Sequence, residues 1–462
     1  MLIQGGTLLD AQGDRRGDLR IDEATGRIAQ AGAALEPRAG EEVVDATGRL
    51  VIPGGIDVHT HLNRGLLADD FGSASRCGAV GGTTSVFDFA LCRGTGGPMP
   101  SWEDRIAEAD ELSSIDYSFH LLVMGLTPIE EIAAAAERGI TSIKMFMAYP
   151  GMVRSDDEVI FDTMLKAAEL GMTVLVHAEH GMAIEVLRER AIAAGRTETH
   201  QLSLTRPPVL EAEAISRASA LAEVAGCPLY IVHVSSEAAL EAAIAARNAG
   251  RQVYMETCPS YLYLTDDRLT EPGGEHFCVV PPLRESSDVE RLWRGIAQGE
   301  IFTIGTDHCG YLKEERRQGT MHRPEGFRDF TEIPVGLPGI GTRMALLYQG
   351  VANGRITAAD WIRTCCENPA RIFGLWPHKG NLGVGADADV VLWDPERTQS
   401  LDAQALDSNN DHSPYEGMVV QGWPDRVYLR GSLLVDDGVF VGEEGGGQLL
   451  ARTTARAPAR VG

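Results

Sequence analysis

The strongest constraint on the fold is an alternation that runs through most of the chain. Eight short apolar runs are separated by longer stretches with helical periodicity. The first run is interrupted (Val51, Ile52 and Ile56), and the others fall at 84–89, 119–123, 142–145, 173–176, 229–232, 252–255 and 301–304. Helical patterns occupy 102–113, 128–138, 156–170, 180–194, 210–225, 236–249 and 287–298. Eight strand–helix units predict an α/β protein with a (β/α)8 barrel. An open doubly wound sheet would need a Gly-x-Gly-x-x-Gly turn, and Gly78-Ala-Val-Gly81-Gly does not provide one.

The two ends read differently from the middle. Short apolar stretches at 1–3, 17–21 and 42–44 alternate with Gly-rich turns, and 388–393, 418–421 and 427–430 repeat the pattern. They predict a composite β-sandwich domain from 1–52 and 376–442, enclosing a barrel over 53–375. The remaining 443–462, Gly-rich and then rich in Ala, Arg and Pro, is expected to be a mobile tail or one ordered only against a neighbouring subunit.

Composition narrows the function classes. A formal net charge of −25 argues against non-specific nucleic-acid binding. No apolar run approaches the roughly 18 residues of a membrane span. The N-terminus lacks a basic segment followed by an apolar core, and the eight cysteines form no Cys-x-x-Cys pair. Reduced cysteines and a cytoplasmic location are expected.

Barrel enzymes carry their chemistry at the C-terminal ends of the strands. Here those ends present His59 and His61 from Pro53-Gly-Gly-Ile-Asp-Val-His-Thr-His61, then Lys144, His177, His233 and Asp307. A lone histidine at a strand end is ordinarily structural. Polar residues on five strand ends that converge on one mouth point instead to a metal site. Four histidines and an aspartate suit Zn2+, with manganese, iron or nickel as alternatives. An ammonium group at Lys144 would be repelled by divalent cations. The lysine is therefore neutral and remote, or a Schiff-base nucleophile, or converted by CO2 into an anionic carbamate.

The order His-x-His, Lys, His, His, Asp resembles the binuclear branch of the amidohydrolase superfamily. The surrounding motifs resemble its dihydropyrimidinase/D-hydantoinase family. They include Asp69-Asp-Phe71, Gly81-Gly-Thr-Thr84, Lys144-Met-Phe-Met-Ala-Tyr149, Val176-His-Ala-Glu179, Glu256-Thr-Cys-Pro259, Gly305-Thr-Asp-His-Cys309 and Ser413-Pro-Tyr-Glu-Gly417. The resemblance implies two divalent metal ions bridged by hydroxide and by carbamylated Lys144. His59, His61 and Asp307 would hold the first metal, and His177 and His233 the second. Asp307 would shuttle the proton and Tyr149 would stabilise the oxyanion. The implied activity is hydrolysis of a cyclic amide, a dihydropyrimidine or 5-substituted hydantoin, to the N-carbamoyl amino acid. A homo-oligomer, tetramer or dimer, is also implied.

Substrate gripping is expected from the stretches around Val280 and Val335, positions where many relatives carry other residues. Arg64 or Arg154 is a candidate partner for an acidic substituent. Allantoin, dihydroorotate and cyclic imides are alternative substrates. A non-catalytic assembly protein or a Schiff-base aldolase on Lys144 would leave the intact ligand set unexplained.

Overall fold

The computed structural model describes residues 1–91, 101–124 and 129–454. The chain opens with five strands: β1 (Leu2–Asp10), β2 (Gly13–Asp22), β3 (Arg27–Gly32), β4 (Val43–Asp45) and β5 (Leu50–Pro53). Eight more follow: β6 (Gly55–Asp57), β7 (Thr83–Leu91), β8 (Asp116–Leu122), β9 (Ser142–Phe146), β10 (Thr173–His177), β11 (Leu229–Ile231), β12 (Val253–Thr257) and β13 (Thr303–Ile304). The last four are β14 (Val390–Ser400), β15 (Val419–Leu429), β16 (Ser432–Asp436) and β17 (Val439–Phe440).

Strands β6 to β13 form one parallel sheet in sequence order, curled into a nearly closed barrel. The seam between β6 and β13 is closed by side chains and loops. Asp57 accepts from the Thr306 N–H (3.1 Å) and from its hydroxyl (2.6 Å), and the His61 N–H donates to the His308 carbonyl (2.7 Å). These bonds also fix the spacing between His61 and Asp307. Helices flank most strands, as the periodicity predicts. The predicted helix start at 128 lies outside the described residues.

The terminal strands form a nine-stranded mixed sheet, ordered β17-β16-β15-β14-β5-β1-β2-β3 with β4 beside β1. By its hydrogen bonding the expected sandwich is this single sheet. Its apolar side buries Ile3, Leu19, Ile28, Val51, Val390 and Leu392. One residue, Gly54, separates it from the barrel. A Cβ there would lie 2.0 Å from the Thr84 hydroxyl, so the turn into the histidine motif demands glycine. Lys379 fastens the returning segment to the barrel, with its buried ammonium 2.6 Å from both Asp116 and Asp389.

The end of the chain differs from the expected mobile tail. Residues 443–454 run along the molecule's own barrel: the Tyr117 N–H donates to Gln448, the Leu450 N–H to Tyr117 and the Arg452 N–H to Gly139. Buried Arg452 donates to the Ser142 hydroxyl (2.8 Å) and to the Phe119 carbonyl, with its guanidinium over the Phe87 ring. Main-chain bonds, Arg452 and only two packed apolar residues, Leu449 and Leu450, hold this segment, so it carries no apolar periodicity to read. Residues 455–462 lie outside the described residues.

Candidate metal centre and active site

Asp57 ends β6, and His59 and His61 follow it at two-residue spacing. His59 Nδ1–H donates to Glu256 Oε1 (2.7 Å), which leaves the lone pair of its Nε2 facing Asp307 Oδ1 at 3.0 Å. His61 Nε2 lies 3.1 Å from the same oxygen. Ligand atoms of His59, His61 and Asp307 all fall within 4.8 Å of one another, a spacing that can hold a metal ion.

The second group is contributed by the ends of β10 and β11. His177 Nε2–H donates to Glu179 Oε2 (2.7 Å), which turns its Nδ1 toward His233 Nε2 at 2.9 Å. Burial holds both imidazoles below their ordinary pKa, so they are neutral, the form that binds metal. The His59 and His233 ring centroids are 5.5 Å apart, which joins the two groups. Lys144 on β9 is buried between them. Its ammonium nitrogen is 5.3 Å from the Phe89 ring, which packs on His59 and His61, and 5.0 Å from Phe146, which stacks on His177. Burial lowers the Lys144 pKa to about 8, against the opposing pull of Asp307 and Glu256.

The donors suit a cation. Burial disfavours a charged His59, yet Asp307 and Glu256 outweigh it and lift the imidazole to about 9. The pocket therefore demands positive charge where the lone pair of His59 points. The buried His59 Nε2 has no partner beyond the Asp307 oxygen at 3.0 Å, and the buried His233 Nδ1 has none among the described residues. Such orphaned groups call for an explanation, and a metal beside His59 supplies one. The residues present fit a metal centre.

Backbone strain gathers at the same place. Among the described residues, three of the six non-glycine residues with positive φ are candidate site residues: Tyr149 (63°), His233 (39°) and Asp307 (52°). Such conformations cost energy and persist where surrounding structure enforces them. The Tyr149 ring packs 5.4 Å from His177 and beneath the Arg206 guanidinium (5.3 Å), and Arg206 in turn binds Glu179 (2.6 Å).

A cavity of about 860 Å3 opens over these groups. It is lined by His59, His61, Lys144, Tyr149, His177, His233, Val280, Asp307 and Val335. Arg64 is the exception: it is exposed and absent from the lining, although its neighbours Asn63 and Gly65 contribute. Arg154 pairs with Asp156 at 2.6 Å, also outside the lining. Neither loop brings its arginine to the cavity wall, a placement that residue type alone does not encode. Sequence reasoning assigned no role to Glu256, Glu179 or Arg206. The two glutamates lie inside quoted motifs, Glu256-Thr-Cys-Pro259 and Val176-His-Ala-Glu179, which was the available clue.

The amidohydrolase family profile matches residues 50–434. The D-hydantoinase of Ralstonia pickettii is 41% identical over 464 residues, spanning 98% of each chain. Among solved structures, D-hydantoinase from Bacillus sp. AR9 superposes with a TM-score of 0.91 at 39% identity, covering 99% of this chain and 100% of that one. Dihydropyrimidinase from Brevibacillus agri NCHU1002 gives 0.92 at 37% identity, covering 99% of both. No helix among the described residues is long and apolar enough to cross a membrane. With likeness over nearly the whole length and a barrel mouth built as above, the chain belongs to the amidohydrolase family, in its dihydropyrimidinase/hydantoinase branch.

Proposed function

We propose that this protein hydrolyses a cyclic amide, a dihydropyrimidine or 5-substituted hydantoin, to the N-carbamoyl amino acid. The observation that carries this reading is the convergence of four histidines, Lys144, Asp307 and Tyr149 on one cavity. Full-length relatives named D-hydantoinase support it.

His59, His61 and Asp307 would hold one divalent cation, most simply Zn2+, and His177 and His233 a second. Lys144 would serve both as its carbamate. At a pKa of about 8 it offers free amine near neutral pH, and addition of CO2 releases one proton. When bound, such cations supply a hydroxide near neutral pH and polarise the scissile carbonyl. Asp307 accepts the proton of the attacking water and returns it to the departing ring nitrogen as the bond from carbonyl carbon to imide nitrogen breaks. The Tyr149 O–H donates to the oxyanion; burial keeps its pKa above the ordinary value, so it remains a donor. Seven free cysteines among the described residues accord with a reducing compartment, the cytoplasm. The family resemblance supports a homo-oligomer.

The test is ring opening by zinc-loaded protein on dihydrouracil, hydantoin, phenylhydantoin, allantoin, dihydroorotate and succinimide. Turnover of dihydrouracil or a hydantoin to the carbamoyl product is expected. Exclusive turnover of allantoin, dihydroorotate or succinimide would replace this reading. No turnover with two metals bound per chain would refute it.

A further inference from the structure

His276 and His412 lie outside the cavity lining and take part in no step described above. His276 belongs to the short turn Gly274–Phe277, and His412 to the stretch that leads into β15. Although far apart in sequence, their ring centroids are 5.4 Å apart, at an interplanar angle of 43°. His59 and His61, which flank the candidate metal position, are also 5.4 Å apart. Two imidazoles that each bind a tetrahedral ion through one nitrogen, at about 2.0–2.1 Å, hold their centroids roughly 5 Å apart. The spacing of His276 and His412 fits that arrangement.

Each ring also has a carboxylate beside one nitrogen. His412 Nδ1 lies 3.5 Å from Asp411 Oδ1, and that oxygen accepts the Lys313 N–H at 2.9 Å. His276 Nε2 lies 3.9 Å from Glu275 Oε1. Metal-bound histidines commonly turn their second nitrogen toward a carboxylate in this way. The opposite nitrogens, His412 Nε2 and His276 Nδ1, are buried and have no hydrogen-bond partner among the described residues. Buried polar atoms in that state call for a water or an ion.

The charges around the pair are balanced, with Glu275 and Asp411 set against Arg316 and Lys313. Burial, then the charges of Arg316 and His276, lower the His412 pKa to about 3, and burial lowers that of His276 as well. Both imidazoles are therefore neutral near pH 7, the form that binds metal. Among the described residues no third His, Cys, Asp or Glu completes a cluster with them. A cavity of about 20 Å3 borders His412, with room for about one water to complete the coordination. With two protein ligands, the site is weaker than one with three.

We propose that His276 and His412 form a further site, apart from the barrel mouth, for one divalent cation of the Zn2+, Cu2+ or Ni2+ type. Imidazole ligands select such ions over Mg2+ and Ca2+. The ion would act as a staple. Ser408 and Asn409, shortly before His412, hold Asp69 through the Ser408 hydroxyl (2.8 Å) and the Asn409 N–H (2.9 Å). The turn carrying His276 runs directly into Val279 and Val280, which line the cavity. One ion would thus tie the segment that clasps Asp69 to a segment that shapes the active-site cavity.

The test counts zinc per chain in untagged protein equilibrated with rising free Zn2+, for wild type, His276→Gln, His412→Gln and the exposed His378→Gln. Wild type and His378→Gln should bind one zinc per chain more than either of the other two variants. That last zinc should be the first removed by a chelator. Because a ligand that binds only the folded state stabilises it, Zn2+ beyond catalytic loading should raise the Tm of wild type but not of His412→Gln. Equal zinc counts in all four proteins, or a loss in only one of the two ligand variants, would overturn the site. Anomalous scattering at the zinc edge from wild-type crystals gives a readout that does not depend on the variants folding. A peak within bonding distance of both rings is expected, and its absence at saturating zinc would overturn the proposal. The site stands apart from the cyclic-amide reading: a protein that binds this ion but opens no ring would refute that reading alone.

Discussion

Glu256 Oε1 lies 2.7 Å from His59 Nδ1 and also accepts the main-chain N–H of His233 at 3.1 Å. One buried carboxylate thus orients a histidine of each proposed metal group, while its other oxygen accepts the Tyr230 hydroxyl at 2.8 Å. Partners behind a ligand fix its tautomer and basicity, and their loss typically costs about 10–100-fold in metal affinity. Glu256→Gln should lower metal affinity by that factor, read by competition with a chelator, and reduce activity in parallel. Unaltered affinity would mean that His59 is oriented by packing alone.

Tyr149 is held at a φ of 63° against His177. A donor fixed in this way is aimed at the place where charge develops. Tyr149→Phe should lower kcat about 10²–10³-fold, with metal content and fold intact. A loss confined to KM would assign the phenol to substrate binding instead.

The contrast between these residues explains what was legible in the sequence. His177 and His233 could be read because apolar runs lead straight into them, and an imidazole at the end of a buried run has few roles. Glu256 and Glu179 are equally buried, but a carboxylate near a strand end is as often solvated, and only the fold brings Glu256 to His59. The β13 ladder with β12 pairs only Thr303 and Ile304, and on the other side side-chain bonds from Asp57 close the seam with β6. Arg64 carried the right charge for a substrate contact, yet its loop turns it to solvent. The terminal segment 443–454 was hidden because backbone pairing leaves no mark on residue type.

Acid sensitivity is expected from His412. This imidazole is 3% exposed and, among the described residues, has no well-formed hydrogen bond, with Asp411 at 3.5 Å as the nearest carboxylate. Burial, then the charges of Arg316 and His276, lower its pKa to about 3. A folded-state value below the unfolded value of roughly 6.5 means that the folded protein resists taking up the proton. Its stabilising contribution is complete above about pH 6.5 and is lost as pH falls from there toward 3, by about 1.4 kcal/mol per pH unit. Between pH 7.5 and 5.0, wild type should therefore lose about 2 kcal/mol more than His412→Gln in urea unfolding. Parallel losses would show that His412 takes up its proton equally in both states.

Arg452 separates the worth of a charge from the worth of the segment carrying it. Among the described residues this buried guanidinium has no carboxylate partner, and burial lowers its pKa to about 9. Removing it leaves the Phe119 carbonyl without that donor, at a cost of about 1–3 kcal/mol. It also relieves the desolvation of an unpaired cation, which is worth several kcal/mol. The two effects oppose each other, and methionine would keep most of the apolar packing against Phe87. Arg452→Met should thus change stability by less than about 1 kcal/mol. Deleting 447–462 removes the main-chain bonds to Tyr117 and Gly139 together with that packing, and should lower Tm clearly. If the point substitution were as damaging as the deletion, the guanidinium itself would be what holds the end of the chain on the barrel.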